Sequence, residues 1–226
     1  MKILNLILYS DTPHYNSMKA LLQLYLKTVP GLKYYFYCFD DRLTTPFVIE
    51  GNVIKFKGQE SFIPGILDKT LRALHLTFGW DYDYVVRSNI STLVNFHKLA
   101  IVLFQTRLQW GGWVRVSAKR DLTKGITAQN PLLYMSGTCI ILSKTAVAQI
   151  LQHINLINMN VIDDIALALL ARRLGVGLVH IGRVVKNGRY QPNKIIYRNK
   201  VVNRGDDVER MKWQVSDLLK ATRAVR

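Results

Sequence analysis

The sequence predicts an α/β protein: an open mixed sheet with helices on both faces, folded as a single domain. Two patterns and the chain length carry that expectation. Continuous apolar runs such as "ILNLILYS" and "YYFYCF" end abruptly in polar residues, as strands covered on both faces do. Between such runs lie segments with apolar residues at helical spacing, closed by glycine or proline. At 226 residues and 49% hydrophobic composition, the chain can bury one sizeable core and is too short for two full domains.

The first run, Ile3 to Ser10, is the first strand, and Pro13 marks a turn over Asp11 to Asn16. Met18, Leu21, Leu22, Tyr25 and Leu26 then keep helical spacing until Pro30-Gly31 stops them. "YYFYCF" is the second strand, ending at Asp40-Asp41, and "NVIKFK" is the next. Ile66, Leu67, Thr70, Leu71, Leu74 and Phe78 mark a helix ended by Gly79. "WDYDYVVRSNISTLV" follows as a buried strand that delivers Arg87-Ser88-Asn89-Ile90-Ser91 to its carboxyl end, where open α/β sheets collect ligands. Strands at Trp113 to Ser117 and Thr138 to Leu142 precede a helix from Ser143 to Ile154, with Ser143 as its cap. A second helix spans Asp163 to Leu174, with both carboxylates in its first turn and Gly175 past its end. "GLVHIG" and "NKIIYR" are late strands, and Asp206 to Ala221 is the last helix.

The formal net charge of +16 attracts phosphate-bearing partners, whether nucleic acid, an anionic membrane touched peripherally, or a nucleotide diphosphate. No apolar run approaches the roughly 18 residues of a membrane span, and "MKILNLILYS" reads as a strand rather than a secretory signal. Cys38 and Cys139 both sit in apolar strand-like segments without a metal-ligand partner nearby, which suits reduced core thiols in a cytoplasmic protein.

Three segments in order resemble the inverting, GT-A fold (Rossmann-like) glycosyltransferases of the β1,3-galactosyltransferase and Fringe type. "LDKTLRALHLTFGWDYDYVVRSNIS" looks like the helix and strand that lead into that family's Asp-x-Asp motif. "YMSGTCIILSKTAVAQIL" resembles its Ser-Gly-Gly-Gly-Tyr-Val-Leu-Ser segment, and "IDDIALALLARRLGV" its Glu-Asp-Val helix with a Leu-Gly end. The resemblance covers most of residues 3 to 215 and extends to the short single-domain forms encoded by large DNA viruses. It implies a nucleotide diphosphate sugar donor, with UDP sugars first, and a glycan or glycoprotein acceptor. It also implies a nucleotide-binding half over residues 1–95 and an acceptor-side half with a basic C-terminal segment over 96–226. The site would face the cytoplasm, of a host cell if the protein is viral.

One departure from the family decides the expected chemistry. Its aspartate run, which binds Mn²⁺, is replaced by Asn89-Ile90-Ser91, and its late histidine ligand falls where Tyr197 and Arg198 stand. Hard cations want anionic oxygen ligands, so no cofactor is expected. Mn²⁺ enters only if the metal ligands lie elsewhere than the resemblance puts them. Fixed cations are expected to neutralise the departing diphosphate instead: Arg198 first, then Arg87, Lys200 and Arg204. The resemblance makes Asp164 the base that takes the acceptor proton, with Asp163 positioning acceptor or backbone, and a helix start is expected to hold both as anions. Asn89 and Ser91 would bond the ribose or diphosphate. Ser10, Asp40 and Asp41 at strand ends are candidates for base and ribose contacts. Lys69 matches the family's helix lysine and would reach the donor, and Gly137 would let the backbone approach the sugar. Trp110 and Trp113, flanking Gly111-Gly112, form either a sugar-stacking platform or core anchors.

Blander readings stand beside these. Asp163-Asp164 is also an ordinary helix-start charge pair, and Asp81-Tyr82-Asp83, a literal Asp-x-Asp, lies at the wrong end of its strand. Asn89-Ile90-Ser91 is also a glycosylation sequon, which the lack of a signal segment argues against. His180 reads as a satisfied core histidine. "VKNGRYQPNKIIYRNK" interleaves basic and aromatic residues as base-stacking surfaces do, but a basic rim around a nucleotide-sugar or acidic-acceptor site predicts the same composition. A catalytically inactive scaffold of the same fold is the alternative function, and a nucleic-acid-binding protein the third.

Overall fold

A computed structural model of the protein describes residues 1–117, 131–201 and 203–223. The first half runs β1 (Ile3–Leu8), α1 (Pro13–Leu26), β2 (Leu32–Asp40), β3 (Phe47–Glu50), β4 (Val53–Lys57), α2 (Gly65–Thr77) and β5 (Tyr84–Asn89). There follow β6 (Thr92–Val94), α3 (Phe96–Thr106), β7 (Trp110–Val116), β8 (Leu133–Ser143), α4 (Lys144–Gln152) and α5 (Asp163–Arg173). The chain closes with β9 (Val179–His180), β10 (Val184–Lys186), β11 (Ile196–Arg198) and α6 (Arg204–Arg223).

One eight-stranded sheet has the order β3-β4-β2-β1-β5-β8-β7-β9, and a smaller one the order β10-β11-β6. β1 pairs in parallel with β2 on one side and β5 on the other, with Leu8 opposite Asn89 at the carboxyl ends. Strand order therefore reverses at β1, which opens a crevice beyond Leu8 and Asn89. β8 joins β5 antiparallel and carries β7, so the sheet is mixed, as expected. Its two faces bury separate cores. Leu67, Leu71, Leu74, Ile150, Ile165 and Leu170 bring α2, α4 and α5 onto one face. Met18, Leu22, Leu99, Leu103, Met211 and Val215 bring α1, α3 and α6 onto the other.

Several boundaries differ from expectation for local reasons. α1 begins at Pro13 rather than after Ser17, because proline's fixed φ and missing N–H suit the first helical position. α3 has no counterpart in the sequence reading: Asn95 caps it through Lys98 N, and Phe96, Leu99 and Leu103 face inward. β8 extends over 11 residues instead of five, paired with a strand on each side. Ser143 caps α4 as expected, accepting from Ala146 N. Cys38 and Cys139 are buried free thiols. His180 is not a core residue: it is exposed on the edge strand β9, where Nδ1 accepts from Val114 N at 3.2 Å. Asp81 and Asp83 lie at the amino end of β5, bonded to Lys2. Among the described residues, no helix is long and apolar enough to cross a membrane.

Candidate active site

A cleft of three adjoining cavities follows the carboxyl ends of the central strands. Ser10, Asp40 and Asp41 line the outermost, of about 780 Å³, at the ends of β1 and β2. The middle cavity, about 440 Å³, is lined by Ser10, Lys69, Asn89, Ser91, Arg198, Lys200 and Arg204. The innermost, about 360 Å³, holds Gly137, Asp163, Asp164, Trp113, Arg115 and Lys186. Leu8, Phe62, Ile66, Asn89, Arg198 and Lys200 wall both of the inner two. The site residues expected from sequence thus gather along one groove, Trp110 excepted.

At the inner end, Arg87 joins three elements. From β5 it donates Nη1 to Asn89 Oδ1 at 2.9 Å and to the Gly137 carbonyl of β8, while Nη2 lies 2.6 Å from Asp163 Oδ2 of α5. Burial alone would lower its pKa, and Asp163, Tyr37 and Asp164 together raise it above the ordinary value. Arg87 is 2% exposed and its charge is already paired, so it organises the site rather than offering a free cation to a diphosphate. Gly137 serves this cluster: a Cβ there would lie 3.1 Å from Arg87 Nη1 and 3.6 Å from Asp163 Oδ1.

Asp164 accepts from Gly137 N at 3.1 Å, and its Oδ1 is buried without a hydrogen bond among the described residues. Burial, and then the neighbouring Asp163 charge, push its pKa up to about 6, against weaker opposition from the Gly137 N–H and Arg87. The expectation that the helix start stabilises Asp164 as an anion is corrected, since desolvation outweighs the helix terminus here. The result is a half-buried carboxyl poised to exchange a proton near neutrality.

The middle of the cleft is cationic. Arg198 donates Nη1 to Thr92 Oγ1 at 3.2 Å across the β11–β6 pair and has no carboxylate partner among the described residues. Burial, then Arg87 and Arg204, lower its pKa to about 10, which leaves it charged. Lys200 is lowered too, by burial and then by Arg198 and Arg204. Arg204 pairs with Asp207 at 3.0 Å. Among the described residues only Arg204 of these three mutually repelling cations has a carboxylate partner, so the wall of the middle cavity is electropositive.

Other expected residues are placed differently. Lys69 is 1% exposed, bonded to Glu60 and to the Tyr9 carbonyl, so its ammonium ties α2 to β1 rather than reaching out. Burial lowers its pKa, with Glu60 opposing. Asp40 is bound by Arg42 at 3.0 Å, which holds its carboxyl below the ordinary range. Trp110 cannot stack a sugar: it is fully buried and bonds Gln149 Oε1 at 3.1 Å. Trp113 does line the inner cavity, with Arg115 and Lys186 against its ring. Sequence reasoning missed Arg115 and the 64% exposed Phe62, whereas Lys186 lies in the stretch read as a basic rim. Arg115, two residues before Ser117 at the polar end of its strand, had a readable signal, and Phe62 had none.

The residues Asn89-Ile90-Ser91, where the resemblance would put a metal, make a poor donor set for a hard divalent cation. Asn89 Oδ1 is occupied by a guanidinium, Ser91 is neutral, Asp163 is engaged with Arg87, and of Asp164 only Oδ1 is left without a partner among the described residues. Among the described residues, no group of three or more His, Cys, Asp or Glu side chains stands where it could hold a metal.

The reversal at β1, the antiparallel β8 and the strand-end cleft define a GT-A-like glycosyltransferase fold. Among solved structures, this chain is similar to a glycosyltransferase involved in the glycosylation of the major capsid of PBCV-1. The likeness has a TM-score of 0.56 over 94% of this chain and 99% of that one, at 9% sequence identity, and it rests on the fold alone. No family model and no curated protein sequence matches the chain.

Proposed function

We propose that the protein is an inverting glycosyltransferase that uses a nucleotide diphosphate sugar, with Asp164 as general base and fixed cations in place of a metal. One observation carries this: in a glycosyltransferase fold, a single groove holds a carboxyl with pKa about 6 together with Arg198 and Lys200, which have no carboxylate partner among the described residues. The outer cavity, with Ser10, Asp40 and Asp41, suits the nucleoside, and the cationic middle suits the diphosphate. Asp164 takes the acceptor's hydroxyl proton as that oxygen bonds to the anomeric carbon. The bond from that carbon to the β-phosphate oxygen breaks, its electron pair leaves on the diphosphate, and Arg198, Lys200 and Arg204 stabilise the added charge. Arg87 and Asp163 hold the strand and helix that aim Asp164.

Hydrolysis of UDP, GDP and dTDP sugars by the purified protein, in EDTA and separately in Mn²⁺, tests the proposal. Turnover of one donor in EDTA is expected. Turnover only with Mn²⁺ overturns the role given to the arginines, and no turnover together with no calorimetric binding of any donor overturns the enzyme.

A further inference from the structure

Resting on that reading, we infer that the acceptor is an anionic glycan whose carboxylate or sulfate is held by Arg115 and Lys186 beside Trp113. The inner cavity is more cationic than donor binding requires. A diphosphate is served by Arg198, Lys200 and Arg204, which face the middle cavity. Arg115 and Lys186 are not part of that wall; they line the inner cavity together with Asp164. They arrive from unrelated elements, Arg115 from β7 and Lys186 from the end of β10. Lys186 stands in register beside Arg198 on the small sheet.

Both cations are held against one ring: the Arg115 guanidinium carbon lies 4.9 Å from the Trp113 centroid, and Lys186 Nζ lies 5.1 Å from it. Neither has a carboxylate partner among the described residues. Such a ring steadies a cation, but two like charges drawn to one ring repel each other. An anion in the cavity that both line offsets that repulsion and gains charge-assisted hydrogen bonds. The acceptor must bring a hydroxyl to Asp164 in this same cavity, so a negative group on the reacting sugar or its neighbour falls at this wall. A neutral acceptor would leave two cations unanswered next to the base.

The test is calorimetric binding, with UDP present at about 150 mM salt to damp long-range attraction. The probes are tetragalacturonate, its carboxyl-reduced neutral counterpart, and a 6-sulfated galactose tetrasaccharide. At least one acidic probe should bind tenfold or more tightly than the neutral one, and which of the two does so separates a carboxylate from a sulfate. Arg115→Gln and Lys186→Gln should each remove about tenfold of the advantage, and the double variant all of it, with UDP affinity unchanged. Both side chains are exposed, so folding should survive, as urea unfolding will check. Equal binding of acidic and neutral probes, no binding of any probe, or an advantage that persists in the double variant would overturn the inference alone. Failure of the wild type to bind any nucleotide would instead overturn the glycosyltransferase reading beneath it.

Discussion

Arg87 Nη2 lies 2.6 Å from Asp163 Oδ2, and both side chains are sealed from solvent, at 2% and 8% exposure. A pair this deep is weak evidence for net stability, but breaking it strands a buried charge. Asp163→Asn should therefore cost about 3–5 kcal/mol in urea unfolding. Arg87→Met combined with Asp163→Leu should recover most of that loss while abolishing transfer, because the clamp on Gly137 goes with it. A single-variant loss well under about 1 kcal/mol, the range of exposed pairs, would mean that water reaches the site.

Asp164 makes two pH predictions of opposite sense. As a base it must be ionised, so transfer should fall about tenfold per pH unit below its pKa of about 6. Stability should run the other way. Between the ordinary carboxyl value of 3.8 and about 6, the folded chain binds more protons than the unfolded one, so stability declines as pH rises through that window. Asp164→Asn should lose at least about 100-fold in transfer, keep its nucleotide affinity, and gain up to about 3 kcal/mol above pH 6. Full transfer by this variant, measured by released nucleoside diphosphate, would remove Asp164 as the base.

Arg198→Ala should separate phosphate from nucleoside recognition. Among the described residues its guanidinium bonds Thr92 Oγ1 and meets no carboxylate, which leaves it able to reach phosphate oxygens. Hydrogen bonds to a charged group contribute about 1.5–3 kcal/mol, so UDP affinity should drop about 10- to 100-fold while uridine affinity stays constant. Equal losses on both ligands would show that Arg198 shapes the cleft rather than gripping the diphosphate.

The strands that build the cleft could be read from their apolar runs, because burial on both faces leaves a continuous signal. α3 could not, since Phe96, Leu99 and Leu103 face the core while Ile101 and Phe104 point outward and blur the period. β6 and β10, at three residues each, are too short to carry a pattern of their own, while "GLVHIG" does mark β9. Asp164, Gly137, Asn89 and Arg198 were legible as residues through motif order, and they do share one groove. Their electrostatics were not, because the pairing of Arg87 with Asp163 and the burial that lifts Asp164 depend on β5, β8 and α5 meeting in space.

Trp110 and Trp113 show how far the strand period reaches, and they give the last prediction. An odd separation along a strand turns two side chains to opposite faces. Trp110 accordingly packs with α4 on one face, and Trp113 sits with the other core at the cleft. A register shift between Gly112 and Val114 interrupts the strand between them, where a Cβ on Gly112 would lie 2.3 Å from the Cys139 carbonyl oxygen. Trp110→Ala should therefore cost about 3–5 kcal/mol of stability, as truncating a buried aromatic does. Trp113→Ala should leave urea unfolding within about 1 kcal/mol of wild type, since its side chain is only partly buried, and should raise the acceptor KM with little change in donor affinity. Donor hydrolysis without acceptor separates the two effects: if Trp113→Ala weakens donor binding as much as acceptor use, the inner cavity holds the donor and not the acceptor.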